Sequence, residues 1–140
     1  MCKVADWVML IFLGICGICD CRKKEIPIVL LIVMSATVAV FAVCCEEKSL
    51  WARVGGALIG VLFFLISKLT KEAIGYGDSW LILLLGIHLG ALVALQVLFA
   101  ASFAAGVCSL FYLWMKRWRK GATLPFVPFI AVAYLGVMFI

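Results

Sequence analysis

Short charged segments cut this chain into apolar runs, most of them long enough to cross a bilayer. A membrane helix needs about 20 apolar residues, with roughly 17 as the lower limit. Six runs are legible, at residues 4–19, 26–44, 49–66, 79–88, 91–115 and 124–140. The fourth is short, and only Gly86, His88 and Gly90 mark its break from the fifth. At 68% hydrophobic and 14% charged over 140 residues, the chain has the composition of a multi-pass membrane protein, not of a soluble domain around one core. The expected fold is all-α, a polytopic bundle of six transmembrane helices forming a single domain over 1–140. The first run carries no small-residue cleavage site and reads as retained.

The charges orient that bundle. Nine of the twelve Lys and Arg residues fall in alternate loops: Arg22, Lys23 and Lys24; Lys68 and Lys71; Lys116, Arg117, Arg119 and Lys120. The positive-inside rule puts those loops in the cytoplasm and both termini outside a cytoplasmic membrane. The net charge of +5 therefore reads as orientation, not as nucleic-acid binding. The cluster from Lys116 to Lys120 also suits anionic lipid headgroups, and Arg53, near the outer end of the third run, suits snorkelling. On this topology Asp20 and Asp78 share the cytoplasmic face.

Gly75-Tyr76-Gly77-Asp78 places a carboxylate at the mouth of a hydrophobic helix, beyond the loop 67–78. Glycine takes backbone angles closed to other residues and lets another chain come close. Two readings of Asp78 stand at this point. It is an N-cap for the helix that follows, or it is functional, because a carboxylate at membrane depth is expensive. Paired with Asp20 it has a chemistry. Like charges a few ångströms apart cannot both ionise, so the pair shares a proton. The ionised partner draws a proton from water and the protonated one donates to a peptide carbonyl. The macroscopic titration belongs to the pair, so neither is assigned as acid or base. Such a site needs no metal, no cofactor and no covalent intermediate.

Three motifs then resemble the type IV prepilin peptidases, a family of Gly-x-Gly-Asp membrane aspartyl proteases that includes the preflagellin peptidases. They are Asp20-Cys21-Arg22 followed by Ile26-Pro27, Gly75-Tyr76-Gly77-Asp78, and Leu124-Pro125-Phe126-Val127-Pro128-Phe129. The resemblance implies a six-helix peptidase with Asp20 and Asp78 as the catalytic pair. Arg22, Ile26, Pro27, Gly75, Tyr76 and Gly77 support the motifs, and Pro125, Phe126, Pro128 and Phe129 contact substrate. The implied partners are prepilin-like or preflagellin-like precursors, whose short basic leader is cut on the cytoplasmic side just before a hydrophobic helix. Two positions depart from the family pattern: Ile28 stands where Asn is common and Trp80 where Lys is common, which bears on substrate preference and pH optimum. Larger members carry a Cys-rich cytoplasmic region linked to N-methylation; its lack here leads to the expectation of a peptidase without that activity.

The remaining features read as structural. Cys16 and Cys19 have metal-like spacing, but four ligands are wanted and cysteine is often a small buried hydrophobe, so no metal is expected. Cys2, Cys44 and Cys45 lie near the outer face, where spacing alone does not give a disulfide. His88 reads as an interface residue on the outer side, Asp6 as interfacial and Glu25 as solvated; Glu72 is given no role. Gly56 with Gly60, and Gly86 with Gly90, have the spacing of close helix packing. Ser102, Ala105, Gly106 and Ser109 give the fifth run a small face, and association of identical chains stays open. Pro125 and Pro128 loosen a helix start, leaving backbone to pair with an extended substrate. Other readings are a small transporter or assembly subunit using Asp20 and Asp78 as a proton or cation site, and an inactive family member. The presenilin group shares Gly-x-Gly-Asp but pairs it with Tyr-Asp, whereas Asp20 follows Cys19.

Overall fold

Apolar runs become helices because a backbone away from water must satisfy its own hydrogen bonds. The computed structural model describes residues 3–23, 25–44, 48–70, 75–115 and 124–140. These form α1 (Lys3–Lys23), α2 (Ile28–Cys44), α3 (Leu50–Leu69), α4 (Tyr76–Leu89), α5 (Ala91–Trp114) and α6 (Val127–Phe139), with no strand among the described residues. Lys24, Glu46, Glu47, Lys71, Glu72, the cluster from Lys116 to Lys120, Cys2 and Cys45 lie outside the described residues. Arg22, Lys23 and Lys68, from two of the basic segments, are exposed.

Local chemistry sets the helix ends. Pro27 stands just before α2, where its carbonyl accepts from Leu30 and Leu31 N–H. Ser49 caps α3, its hydroxyl accepting from Ala52 N–H at 3.3 Å. Gly90, at φ +83°, breaks α4 from α5 in a left-handed conformation that favours glycine. Three boundaries differ from the sequence reading. α1 continues past Asp20 to Lys23, and α4 begins at Tyr76, so the Gly-x-Gly-Asp motif opens a helix instead of ending a loop. α6 begins only at Val127, with Pro128 in its first turn.

Three helices, α1, α3 and α5, are long and apolar enough to cross a membrane; α2, α4 and α6 have 17, 14 and 13 residues. At about 1.5 Å per residue α4 covers only about 21 Å, against a hydrocarbon core of about 30 Å. It packs most closely on α3 and also on α2 and α5, while α6 lies against α1 and α5. Leu81, Ile82, Leu84, Leu85 and Leu89 are all buried, more than one stripe of the helix. Outward faces such as Ile11, Leu58, Phe99 and Val132 stay apolar and exposed, a surface suited to lipid.

Glycine makes the tightest crossing. A methyl on Gly56 would collide with the Gly86 carbonyl, one on Gly86 with the Gly56 carbonyl, and one on Gly60 with Leu83. Backbone therefore meets backbone between α3 and α4. The expected small face of α5 has no such use: nothing lies within 4 Å of a Cβ placed on Gly106, and Ser102 is exposed. Arg53 is half-buried and donates to the Ala42 carbonyl at the end of α2. Replacing Gly86 by alanine should destabilise the fold by about 2 kcal/mol, an overpacking cost that outweighs alanine's better helix propensity. Gly106→Ala should cost nothing; thermal unfolding of both variants in detergent checks the contrast.

Candidate active site

Gly17 lies one helical turn before Asp20 and opens the space that α6 needs. A Cβ on Gly17 would sit 3.4 Å from Pro128 Cα, so the start of α6 rests almost on the α1 backbone. From there the N–H groups of Phe126 and Val127 face the Asp20 carboxylate. Such N–H groups are the unpaired donors of a helix start, where the helix dipole also favours an anion. The backbone expected to stay free for substrate thus lies beside Asp20. Its Oδ2, however, is buried with no hydrogen-bond partner among the described residues.

Asp78 arrives on the first turn of α4. The cap position belongs to Gly75, which offers no side-chain bond, so the N-cap reading of Asp78 does not hold. The Ser79 hydroxyl donates to the Gly75 carbonyl at 3.4 Å and is buried beneath this turn. Asp78 lies close enough to Asp20 for the charge of one to act on the other. Its neighbour Gly77 faces Ile26, whose Cβ would be 3.3 Å from a Cβ at that glycine. The segment before α2 therefore packs on the Gly-x-Gly-Asp turn.

The three sequence motifs, remote in the chain, meet at one end of the bundle. Asp20, Asp78, Ile26, Gly77, Phe126 and Pro128 are joined by the contacts above. Tyr76 is half-exposed, its ring 5.7 Å from that of Phe64. Arg22, Pro27 and Gly75 are exposed, and Pro125 and Phe129 are half-buried. Nothing holds Arg22 against the carboxylates among the contacts described. Two carboxylates beside a helix start, one oxygen without a partner, can take and give protons to a bound water. No group of three His, Cys, Asp or Glu suited to a metal occurs among the described residues. Cys16 is buried in the core and Cys19 half-buried beside it.

A second polar cluster escaped the sequence reading. Asp6 is only 6% exposed, and its Oδ1 lies 3.0 Å from His88 Nε2. The Tyr134 hydroxyl lies 3.4 Å from the Asp6 carbonyl, to which it donates. Lys48 Nζ donates to the His88 and Leu89 carbonyls at 2.9 and 3.1 Å, closing the last turn of α4. His88 is consequently a partnered, largely buried residue. The available signal was a lone carboxylate inside an apolar run and a lone histidine inside another, since buried charges pair.

Comparison with known proteins agrees with the family resemblance. The family model described as "Type IV leader peptidase family" matches residues 7–110. A Burkholderia pseudomallei protein named "Prepilin leader peptidase/N-methyltransferase" is 38% identical over 97 residues, 65% of this chain and 31% of its own length. Proteins of the same name from Stutzerimonas stutzeri and Xanthomonas campestris are 33% and 31% identical over 89 and 91 residues, covering 62% and 64% of this chain. The chain spans about a third of the length of these curated relatives, 31 to 32%. No solved structure matches it.

The Asp6–His88 contact carries a measurable stability. His88→Leu leaves the Asp6 carboxylate buried without its partner and should cost about 2 kcal/mol. Adding Asp6→Leu should recover part of the loss, because replacing a whole buried pair is milder than breaking it. Thermal unfolding of the single and double variants measures both.

Proposed function

The chain belongs to the type IV leader peptidase family, and from that premise we propose that it is a membrane-embedded aspartic endopeptidase. It cuts the short basic leader from prepilin-like precursors, with Asp20 and Asp78 activating water between them. One carboxylate takes a proton from the water as its oxygen adds to the scissile carbonyl. The other gives its proton to the carbonyl oxygen. Collapse of the tetrahedral intermediate returns that carbonyl and breaks the C–N bond, with a proton passing to the departing amine. The observation that carries this reading is the approach of Asp78 to an Asp20 whose Oδ2 is buried and unpartnered. Unpartnered buried oxygens are rare in folded proteins and call for an explanation.

One observation favours a second reading. Asp20 faces the Phe126 and Val127 N–H groups, so it also stands as the anion at the start of α6. Asp20→Asn separates the roles, since the amide keeps an oxygen for those N–H groups but cannot exchange a proton in the same way. In liposomes holding a precursor with a basic leader, the wild type should cut. Asp20→Asn and Asp78→Asn should each be at least about a hundredfold slower, with unfolding temperatures near wild type. A full rate for Asp20→Asn, with the fold intact, would leave Asp20 only its structural role.

We place the site on the cytoplasmic side, with six spans and both termini outside. Support comes from the alternation of basic segments along the sequence and from the location of Asp20 and Asp78 at one end of the bundle, Asp6 and His88 at the other. A reporter that is active only outside the cytoplasm should work when fused after Ile140 and stay silent when fused after Thr70. The reverse pattern would invert the topology.

A further inference from the structure

Trp80 follows Asp78 by two residues on α4 and is one of the two departures from the family pattern. Its side chain has a specific partner on α2. The Trp80 indole N–H donates to Ser35 Oγ at 3.1 Å, and the Ser35 hydroxyl donates to the Leu31 carbonyl at 2.6 Å. The Ser35 proton is thereby committed to its own helix, which leaves the oxygen's lone pairs to the indole. Where lipid replaces water, an indole N–H left without an acceptor is costly, so the bond is retained.

The other contacts described between the start of α4 and its neighbours are less directional. Gly77 meets Ile26, and the Tyr76 ring lies 5.7 Å from that of Phe64. Further along, Gly56 and Gly86 bring α3 and α4 together backbone on backbone. That crossing fixes their spacing, but glycine has no side chain to interlock against a roll of α4 about its axis. The Trp80–Ser35 bond does resist a roll, because it joins a group well off the axis to a directional acceptor on another helix.

Roll matters at Asp78. Each residue turns the helix by about 100°, so Asp78 falls about 200° round from Trp80, on the far side of α4. A helix with its side chains is about 10–12 Å across, which sets the carboxylate about 6 Å from the axis. A roll of about 10° then carries it about 1 Å, and a displacement of that size at a reacting group costs up to about a hundredfold in rate. The gap it would change is the one across which the Asp20 charge acts on Asp78.

Resting on the peptidase reading, we propose that Trp80 and Ser35 are positioning residues. Their hydrogen bond sets the roll of α4 and with it the approach of Asp78 to Asp20. α2 thereby serves the site although it carries neither carboxylate.

The test uses the full chain in liposomes with a precursor that carries a basic leader. Ser35→Ala and Trp80→Phe each remove one end of the bond, and each should lower kcat about tenfold with KM within about twofold. The double variant should be no slower than either single one, because both remove the same bond. Ser35→Thr keeps the hydroxyl and should restore the rate. Thr37→Val is the control: it removes a hydroxyl bonded to the Val33 carbonyl at 2.7 Å on the same helix, and should change neither constant. A second readout needs no cleavage. With the seven native cysteines replaced by alanine, Asp20→Cys and Asp78→Cys should join on oxidation. Adding Ser35→Ala or Trp80→Phe should slow that joining about fivefold. If wild type cuts, and both variants keep its kcat and the background joining rate, the positioning proposal is overturned and the peptidase reading stands. If both variants slow the joining but wild type never cuts, the positioning role stands and the peptidase reading fails. If the paired cysteines never join, the two positions do not meet and the proposal falls.

Discussion

The start of α6 sits on the Asp20 carboxylate, and that contact organises the end of the bundle where the motifs meet. A helix start exposes N–H groups that nothing within the helix can satisfy. Phe126 and Val127 turn theirs toward Asp20. Pro128 lies over Gly17, within contact of α1. An anion is thereby held where the α6 dipole favours it; its Oδ2 is buried without a partner among the described residues, and its charge reaches Asp78. One carboxylate anchored and one on a separate helix is an arrangement in which two like charges can be brought together without either being free to swing away.

α4 supplies the other carboxylate, and its packing explains how so short a helix holds its place. Gly56 and Gly86 bring two backbones into contact, close enough for dispersion forces to act along the crossing without side chains between. In lipid there is no hydrophobic drive between helices, so such close packing carries much of the association. Lys48 then closes the far end of α4 by donating to its last carbonyls, and Asp6 with Tyr134 ties that end to α1 and α6. The same three helices that bring the motifs together are joined again at their opposite end.

What could be read from the sequence was what is local. Charged segments bound the helices, Gly90 marks the α4–α5 break, and Ser49 caps α3. The alternation of basic segments already set Asp20 and Asp78 on one face, and the resemblance named them as a pair. What could not be read depends on tertiary approach. Asp6 looked interfacial because its partner His88 lies 82 residues away. The backbone loosened by Pro125 and Pro128 was assigned to substrate because its neighbours depend on where α1 passes. The start of α4 was misplaced because Gly75 and Gly77 are poor helix formers, and packing against Ile26 overrode that preference.

Helix length gives the proposed chemistry its setting. On the proposed topology the Lys48 ammonium, on the last turn of α4, belongs at the outer interface. Asp78 is ten residues from His88, which places it about 15 Å further along. With a hydrocarbon core about 30 Å thick, that topology would set the carboxylate pair below the cytoplasmic headgroups. Water would then have to reach it through the bundle, and Asp20 and Asp78 are both half-exposed. A precursor whose apolar segment stays in lipid would then have only its junction to lower into the recess. The depth of the site would itself select chains with a cleavable bond beside a membrane helix.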